Sequence, residues 1–421
     1  MEKIFLKNYK GFKNQMIDLM DVNFLVGENS TGKTSLLKII NLLSNPEFWY
    51  NYEFNNNEVE LGYFEEIIDK RSVEKFFQLG IQKENKDNTE NPIFRINCEF
   101  IEENSIPILS SIKSNINDLD ILIKFTKKQI TYRVKKQINQ TFNEWVVDYD
   151  FPKTFKKLGI HFRSLPISIL IELISNEINT NDSKKNIRNR FVNERLYNNY
   201  KWLAPIRAKA KRTYESYKIK FSPEGEHIPS LLRQILSSKS TKEKQRIINV
   251  LEHFGKDSNL FDKIEIKDLG KKNSSPFEII VKYNDIEVKL PNVGYGVSQS
   301  LPLIIEILSS NNICFSIQQP EVHLHPKAQS AFGSFLFNSA LNDNNKFIIE
   351  THSDFTINRF RHKLNKNNNE KVSSKVLFFE RTKNGNRITD ININKNGIYK
   401  DLLPDSYRDF FIDEEIRLLE L

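Results

Sequence analysis

The chain has 421 residues, of which 39% are hydrophobic and 28% charged, with a net charge of +8 and two cysteines. That length exceeds one domain of roughly 100–200 residues, and no window approaches the roughly 20 consecutive apolar residues of a membrane span. Charges at Glu2, Lys3 and Lys7 stand where a secretory signal needs its apolar stretch, and Cys98 and Cys314 offer neither a disulfide framework nor zinc-ligand spacing. A cytoplasmic protein without a membrane partner is the expectation.

Ile4-Phe5-Leu6 and Val22 to Val26 read as strands, and the second runs into Gly27-Glu28-Asn29-Ser30-Thr31-Gly32-Lys33-Thr34. This is G-x-x-x-x-G-K-[ST] between a strand and the helical pattern Thr34 to Leu43. Its glycines let backbone N–H groups turn toward phosphates, Lys33 reaches the outer phosphates, and Thr34 offers a hydroxyl to Mg²⁺. The N-terminal end of the following helix adds a favourable dipole. Glu58 to Phe64 reads as a further strand. Between about 82 and 200 the pattern changes to polar runs (Gln82 to Asn91, Asn179 to Asn186) around extended segments at Ile93 to Phe100 and Gln129 to Ile138 and an apolar helix at Ile167 to Ile178.

From Lys184 to Lys220 the chain carries twelve Lys/Arg against Glu194 and Glu215, interleaved with Phe191, Tyr197, Tyr200, Trp202, Tyr214, Tyr217 and Phe221. Such a segment is either a nucleic-acid surface, working by phosphate neutralisation and stacking, or a solvated helix face followed by a strand. Ser240-Thr241-Lys242-Glu243 fits a capping box that opens a helix, with Gly255 where it should stop. Strands and helices then alternate: Glu278 to Lys282, Glu287 to Leu290, Ser300 to Ser309, Ile313 to Ile317, Lys327 to Leu341, Lys346 to Ile349 and Val376 to Phe379. Alternation of this kind predicts an α/β fold with a mostly parallel sheet flanked by helices.

Ligands of such sheets collect at the carboxyl ends of the strands. Three segments stand there: Gly294-Tyr295-Gly296-Val297-Ser298-Gln299, with Pro302 placing the helix start close to Ser298; Gln318-Gln319-Pro320-Glu321-Val322-His323-Leu324-His325-Pro326; and Glu350-Thr351-His352-Ser353-Asp354. With the phosphate loop they occur in the order found in ABC-type ATPases of the SMC, RecF and OLD kind, which residues 1–75 and 200–421 resemble. "WLAPIRAKAKRTY", "ETHSDFTINRFRHKL" and "NGIYKDLLPDSYRDFFIDEE" are most similar to a bacterial branch of AAA-family ATPases with a short C-terminal domain of unknown function, found largely in mobile elements and anti-phage loci.

The resemblance implies an ABC-type P-loop ATPase head: an ATPase lobe (1–81, 201–229 and 276–375), an α+β insertion (82–200), a helical insertion (230–275) and a short C-terminal segment (376–421). It implies ATP and Mg²⁺ sandwiched between two protomers. Gly27, Asn29, Ser30, Thr31, Gly32, Lys33, Thr34 and Ser35 of one would meet Ser298 and Gln299 of the other, His325 would lie in the D-loop, and His352 would sense the γ-phosphate. The Walker B positions, two carboxylates in most relatives, are Gln318 and Gln319 here. An amide orients water but takes no proton and brings no charge to the metal. Glu321 and Glu350 are the carboxylates placed to compensate, so either slow hydrolysis or an ATP-held switch is expected.

Arg207, Lys209, Lys211 and Arg212 are candidates for nucleic-acid contact, and Arg207 and Arg212 alternatively for pairing with core acids. His323 and His325 with Glu321 read as a metal group or, by the resemblance, as the D-loop and the start of its helix. Asp405, Asp409, Asp413, Glu414 and Glu415 fit a charged terminal helix. Leu377-Phe378-Phe379-Glu380-Arg381 lacks the glycine of a Toprim opening, so no built-in nuclease is expected. The expected role is a sensor or regulatory subunit, a homodimer or higher even oligomer, controlling a separately encoded nuclease of HNH or Toprim type. A RecF-like DNA-maintenance protein and an inert ATP-bound scaffold are the alternatives.

Overall fold

A computed structural model describes residues 2–84, 94–116, 119–158, 165–177, 195–215, 220–238, 241–272, 274–284, 286–367, 371–400 and 402–411. The chain forms two compact units, one of Met1–Met20, Glu28–Asn198 and Phe379–Thr389, the other of Asp21–Gly27, Asn199–Phe378 and Asp390–Leu421.

The first unit is built on an antiparallel sheet of eight strands: β1 (Glu2–Tyr9), β2 (Phe12–Leu19), β4 (Phe76–Lys83), β5 (Phe94–Glu103), β6 (Ile106–Ile116), β7 (Leu119–Phe125), β8 (Ile130–Lys136) and β9 (Lys156–Leu158), in the order β2-β1-β4-β5-β6-β7-β8-β9. The expected boundary at 82 therefore falls inside β4, and β1, β2 and β4 continue the sheet of the insertion. Helices α1 (Lys33–Ser44), α2 (Phe48–Asn51), α3 (Phe64–Ile67), α4 (Phe142–Val147) and α5 (Ile167–Glu177) also belong to the unit. Its core includes an aromatic group, with Phe48, Phe54, Phe77 and Phe100 meeting at ring separations of 4.9–6.3 Å. The edge-on and stacked pairs add to the burial of large apolar rings.

Glu58 to Phe64 is not a strand. The Asn55 side-chain oxygen accepts from the N–H groups of Leu61 and Gly62, each at 2.9 Å, and Gly62 has φ +90°. Local side-chain capture of backbone donors outcompetes a ladder here.

In the second unit, β10 (Tyr200–Leu203), β14 (Cys314–Gln318), β15 (Lys346–Glu350) and β3 (Val22–Gly27) run parallel in that order. β16 (Ser374–Thr382) and β17 (Gly385–Ile393) extend this sheet. A small antiparallel sheet holds β11 (Lys263–Asp268), β12 (Phe277–Tyr283) and β13 (Ile286–Lys289). The apolar runs of the parallel strands are buried on both faces, as parallel sheets require: Phe24, Phe315, Ile317, Phe347 and Ile349 are all inaccessible. Helices α6 (Ile228–Ser237), α7 (Thr241–Ser258), α8 (Tyr295–Leu308), α9 (Pro326–Asn342) and α10 (Asp354–Asn367) pack around them. At Gly333 a Cβ would come within 2.3 Å of the Thr356 carbonyl oxygen, so glycine sets the close approach of α9 to α10.

Two helix boundaries differ from expectation. Helix α7 passes through Gly255 to Ser258; the residue is small because the Phe261 carbonyl oxygen would lie 2.3 Å from a Cβ there, and not because the helix ends. The capping-box residue Ser240 lies outside the described residues. Helix α8 starts at Tyr295, three residues before Ser298, and contains Pro302 in its interior. A proline there removes the N–H that the Ser298 carbonyl would otherwise receive. Gly225, with φ +80°, lies against the proline ring. Among the described residues no helix is long and apolar enough to cross a membrane.

Candidate nucleotide and switch site

Strand β3 delivers Gly27, at φ 142°, to the start of the phosphate loop. The loop then curls through Ser30 at φ 63° and Gly32 at φ 101°. A Cβ on Gly32 would sit 2.6 Å from the Phe12 ring, so both backbone angle and space demand glycine. Thr31 Oγ1 and Lys33 Nζ both donate to the Glu28 carbonyl, at 2.8 and 2.7 Å, which fastens the curl from inside. Helix α1 begins at Lys33 with no side-chain cap on its first donors, and Thr34 is exposed while Ser35 is half-buried. The buried Tyr9 hydroxyl donates to the Ser35 carbonyl at 3.1 Å, and burial raises its pKa. Glu28, Asn29 and Ser30 are exposed.

The second group forms at the carboxyl edge of the parallel sheet. In register, Gln318 of β14 stands opposite Glu350 of β15, which stands opposite Leu25 of β3. The Gln318 amide donates to Glu350 Oε2 at 3.1 Å, and both side chains are buried, at 9% and 6% exposure. This pair carries one negative charge where two carboxylates would carry two. Gln319 turns the chain out of the strand at φ 42° and donates its N–H to the Glu350 carbonyl at 2.8 Å.

Glu321 holds the third segment. Its carboxylate accepts from Thr351 Oγ1 at 2.9 Å and from the His352 N–H at 2.7 Å. It is thus turned toward residues 351–352 and serves as a positioner of the His352 backbone. The His352 ring lies 6.0 Å from that of Phe410, in the helical residues 405–411. His325 is the exposed N-cap of α9, its Nδ1 accepting from the Ala328 N–H at 3.4 Å. Among the described residues no cluster of three His, Cys, Asp or Glu side chains fits a metal. Ser298 Oγ donates to the Tyr295 carbonyl at 3.2 Å in the first turn of α8, and the Tyr295 ring lies 5.4 Å from that of His323.

The four basic candidates separate. Lys209, Lys211 and Arg212 are exposed, but Arg207 is buried at 4% exposure and cannot face an external phosphate backbone. Its N–H donates to Gln299 Oε1 at 3.3 Å and its guanidinium to the Gln318 carbonyl at 3.4 Å. Burial pulls its pKa down to about 10, against the opposing charge of Glu321. Of the basic segment, 184–194 and 216–219 lie outside the described residues, as do Asp413, Glu414 and Glu415. The places of Arg207 beside Gln318 and of Phe410 beside His352 had no signal in the sequence, because both contacts join segments far apart in the chain.

The donor set suits a nucleotide with Mg²⁺, which takes oxygen ligands and usually keeps several waters beside one or two carboxylates and substrate phosphates. Thr34, exposed at the end of the glycine curl, carries a hydroxyl oxygen of that kind.

Three solved structures resemble the chain over most of its length. They are an SMC head bound to the C-winged helix domain of ScpA (11% identity, 93% of this chain and 98% of that one, TM-score 0.49), an SMC head from Pyrococcus furiosus with an extended coiled coil bound to the C-terminal domain of ScpA (11%, 99% and 100%, 0.45), and the SMC head domain from Thermotoga maritima (13%, 93% and 98%, 0.40). An uncharacterized protein of Methanocaldococcus jannaschii is 28% identical over 137 residues, which are 32% of this chain and 16% of that protein's length. The family model described as an AAA ATPase domain matches residues 1–357. With its glycine-curled phosphate loop and the strand-end residues of a parallel sheet, the chain belongs to the AAA ATPase domain family.

Proposed function

We propose that this protein is an ATP-binding, slowly hydrolysing ABC-type ATPase that dimerises around its nucleotide and acts as the regulatory subunit of a bacterial defence system, controlling a separately encoded nuclease. The supporting observation is the buried Gln318–Glu350 pair. The strand end where most relatives carry two carboxylates has Gln318 and Gln319 here, and the carboxylate beside it is Glu350 of the neighbouring strand, while the phosphate loop keeps the full G-x-x-x-x-G-K-[ST] motif. Lys33 and the loop N–H groups hold the phosphates, Thr34 offers a hydroxyl to Mg²⁺, and Gln318 orients Glu350. Bound Mg²⁺ neutralises charge on the phosphates. Glu321, by fixing the His352 backbone, sets where the switch ring can go. Because ligand binding to one state stabilises it by mass action, ATP favours the dimer and its loss releases it.

ATP turnover with Mg²⁺, measured beside light-scattering mass, tests this for the native protein and for Lys33→Ala, Gln318→Glu and Glu350→Gln. Slow native turnover lost in Lys33→Ala and Glu350→Gln and raised in Gln318→Glu supports a slowed ATPase. An ATP-promoted dimer without turnover supports a held switch. Nuclease activity of the purified chain alone would refute the division of labour. The exposed Lys209, Lys211 and Arg212 keep the RecF-like DNA reading as second choice, with salt-dependent, ATP-stimulated DNA binding as its test.

A further inference from the structure

Arg207 is the one basic side chain in the 207–212 segment that folds inward. Its loop is pinned on both sides: the Ala204 N–H donates to the Pro223 carbonyl at 3.0 Å and the Ala208 N–H to the Glu224 carbonyl at 2.8 Å. Between those anchors its backbone N–H meets Gln299, in the first turn of α8, and its guanidinium meets the carbonyl of Gln318 at the end of β14. The Glu321 carboxylate, which holds Thr351 and His352, is its electrostatic partner. The Arg207 Nε–H is buried with no hydrogen-bond partner among the described residues. A buried unsatisfied donor on a charged group is costly enough to need an explanation other than stability. A cation buried at a strand end with the Glu321 carboxylate as its charged neighbour offers one: it tunes how much negative charge that end presents.

We propose that Arg207 is a positioning residue that joins the Ser298–Gln299 turn to the Gln318–Glu350 pair and, with Glu321, sets the charge that the strand end presents to Mg²⁺ and phosphate. This rests on the reading that the chain binds ATP with Mg²⁺. With Gln318 uncharged, the group formed by Arg207, Gln318, Glu321 and Glu350 has a net charge of one negative. Removing Arg207 makes it two negative, which disfavours bare phosphate and favours Mg²⁺. Removing the Glu321 charge makes it neutral, with the opposite effect. Removing both restores the original balance.

The experiment is titration of a fluorescent N-methylanthraniloyl ATP with and without Mg²⁺, using the full chain and Arg207→Gln, Arg207→Lys, Glu321→Gln and the Arg207→Gln/Glu321→Gln double variant, each checked by circular dichroism. The quantity read is the factor by which Mg²⁺ tightens binding. Expected are a factor several-fold larger than native in Arg207→Gln, several-fold smaller in Glu321→Gln, and near native in the double variant and in Arg207→Lys. A purely structural role would weaken binding with and without Mg²⁺ alike and would not bring the double variant back. Folded Arg207→Gln with an unchanged or smaller factor overturns the proposal. If Arg207→Gln does not fold, an unchanged or larger factor in Glu321→Gln does so. Native protein that binds no ATP defeats the ATP reading itself, a result separate from either.

Discussion

Replacing Gln318 by Glu changes one atom type in a buried pair and thereby tests whether this strand end is built for a single negative charge. The amide nitrogen lies 3.1 Å from Glu350 Oε2, so the substituted oxygen would face a carboxylate at nearly the same distance. At an effective dielectric of about 20, two unit charges that close repel by about 5 kcal/mol. Uptake of one proton caps the cost: a carboxyl with an ordinary pKa near 4.3 costs about 1.36 × (7 − 4.3), or about 3.7 kcal/mol, to keep protonated at pH 7 and about 1 kcal/mol at pH 5. Arg207, beside the Gln318 carbonyl, lowers the repulsion but not the cost of proton uptake. The folded variant therefore holds a proton that its unfolded chain releases, so its stability deficit is small near pH 5 and grows as pH rises through neutrality, by about 1–3 kcal/mol. Urea unfolding followed by circular dichroism in EDTA, at pH 5 and pH 7.5, reads this against native protein. Because Mg²⁺ relieves the repulsion, Mg²⁺ with ATP should stabilise the variant more than the native chain. Equal stability of the two proteins at both pH values would refute the charge argument.

Gly32→Ala should abolish nucleotide binding, because the left-handed φ of 101° and the Phe12 ring at 2.6 Å leave no room for a Cβ; equilibrium binding of labelled ATP checks it. Gly255→Ala should cost about 1–3 kcal/mol through the Phe261 carbonyl, seen as a lower unfolding midpoint. Lys113, in β6, is 1% exposed, donates to the carbonyls of Trp145 and Asp148, and has its pKa pulled down to about 8 by burial, against the charges of Asp148 and Asp120. The folded chain then binds fewer protons than the unfolded between about pH 8 and 10.5, so stability rises with pH across that window, by at most about 3 kcal/mol. Lys113→Met should remove that rise, measured as native minus variant in urea unfolding at pH 7.5 and 10.

Local pattern was enough wherever the information lay within one segment. The spacing from Gly27 to Thr34 allows the curl and helix start found there, since glycine at 27 and 32 accepts a positive φ that other residues rarely adopt. The apolar strands ending in Gln318 and Glu350 were legible for the same reason: both-face burial needs an unbroken run of apolar residues. Boundaries failed where a side chain overrode the pattern, as Asn55 does at Leu61 and Gly62, or where a small residue served packing, as Gly255 does. Composition places the break at 82, yet the eight-stranded sheet gathers β1, β2 and β4 with the later strands, because antiparallel pairing depends on which edges meet and not on distance along the chain.

Membership of the ATPase family was thus carried by the order of residues alone. Which charges face one another was not. Arg207 was one of four basic candidates until the fold buried it beside Gln318, Glu321 was a spare carboxylate until it closed on Thr351 and His352, and Glu350 was 32 residues from the amide it accepts from. Burial and long-range contact decide the energy of a charge, and neither quantity exists until distant segments are packed together.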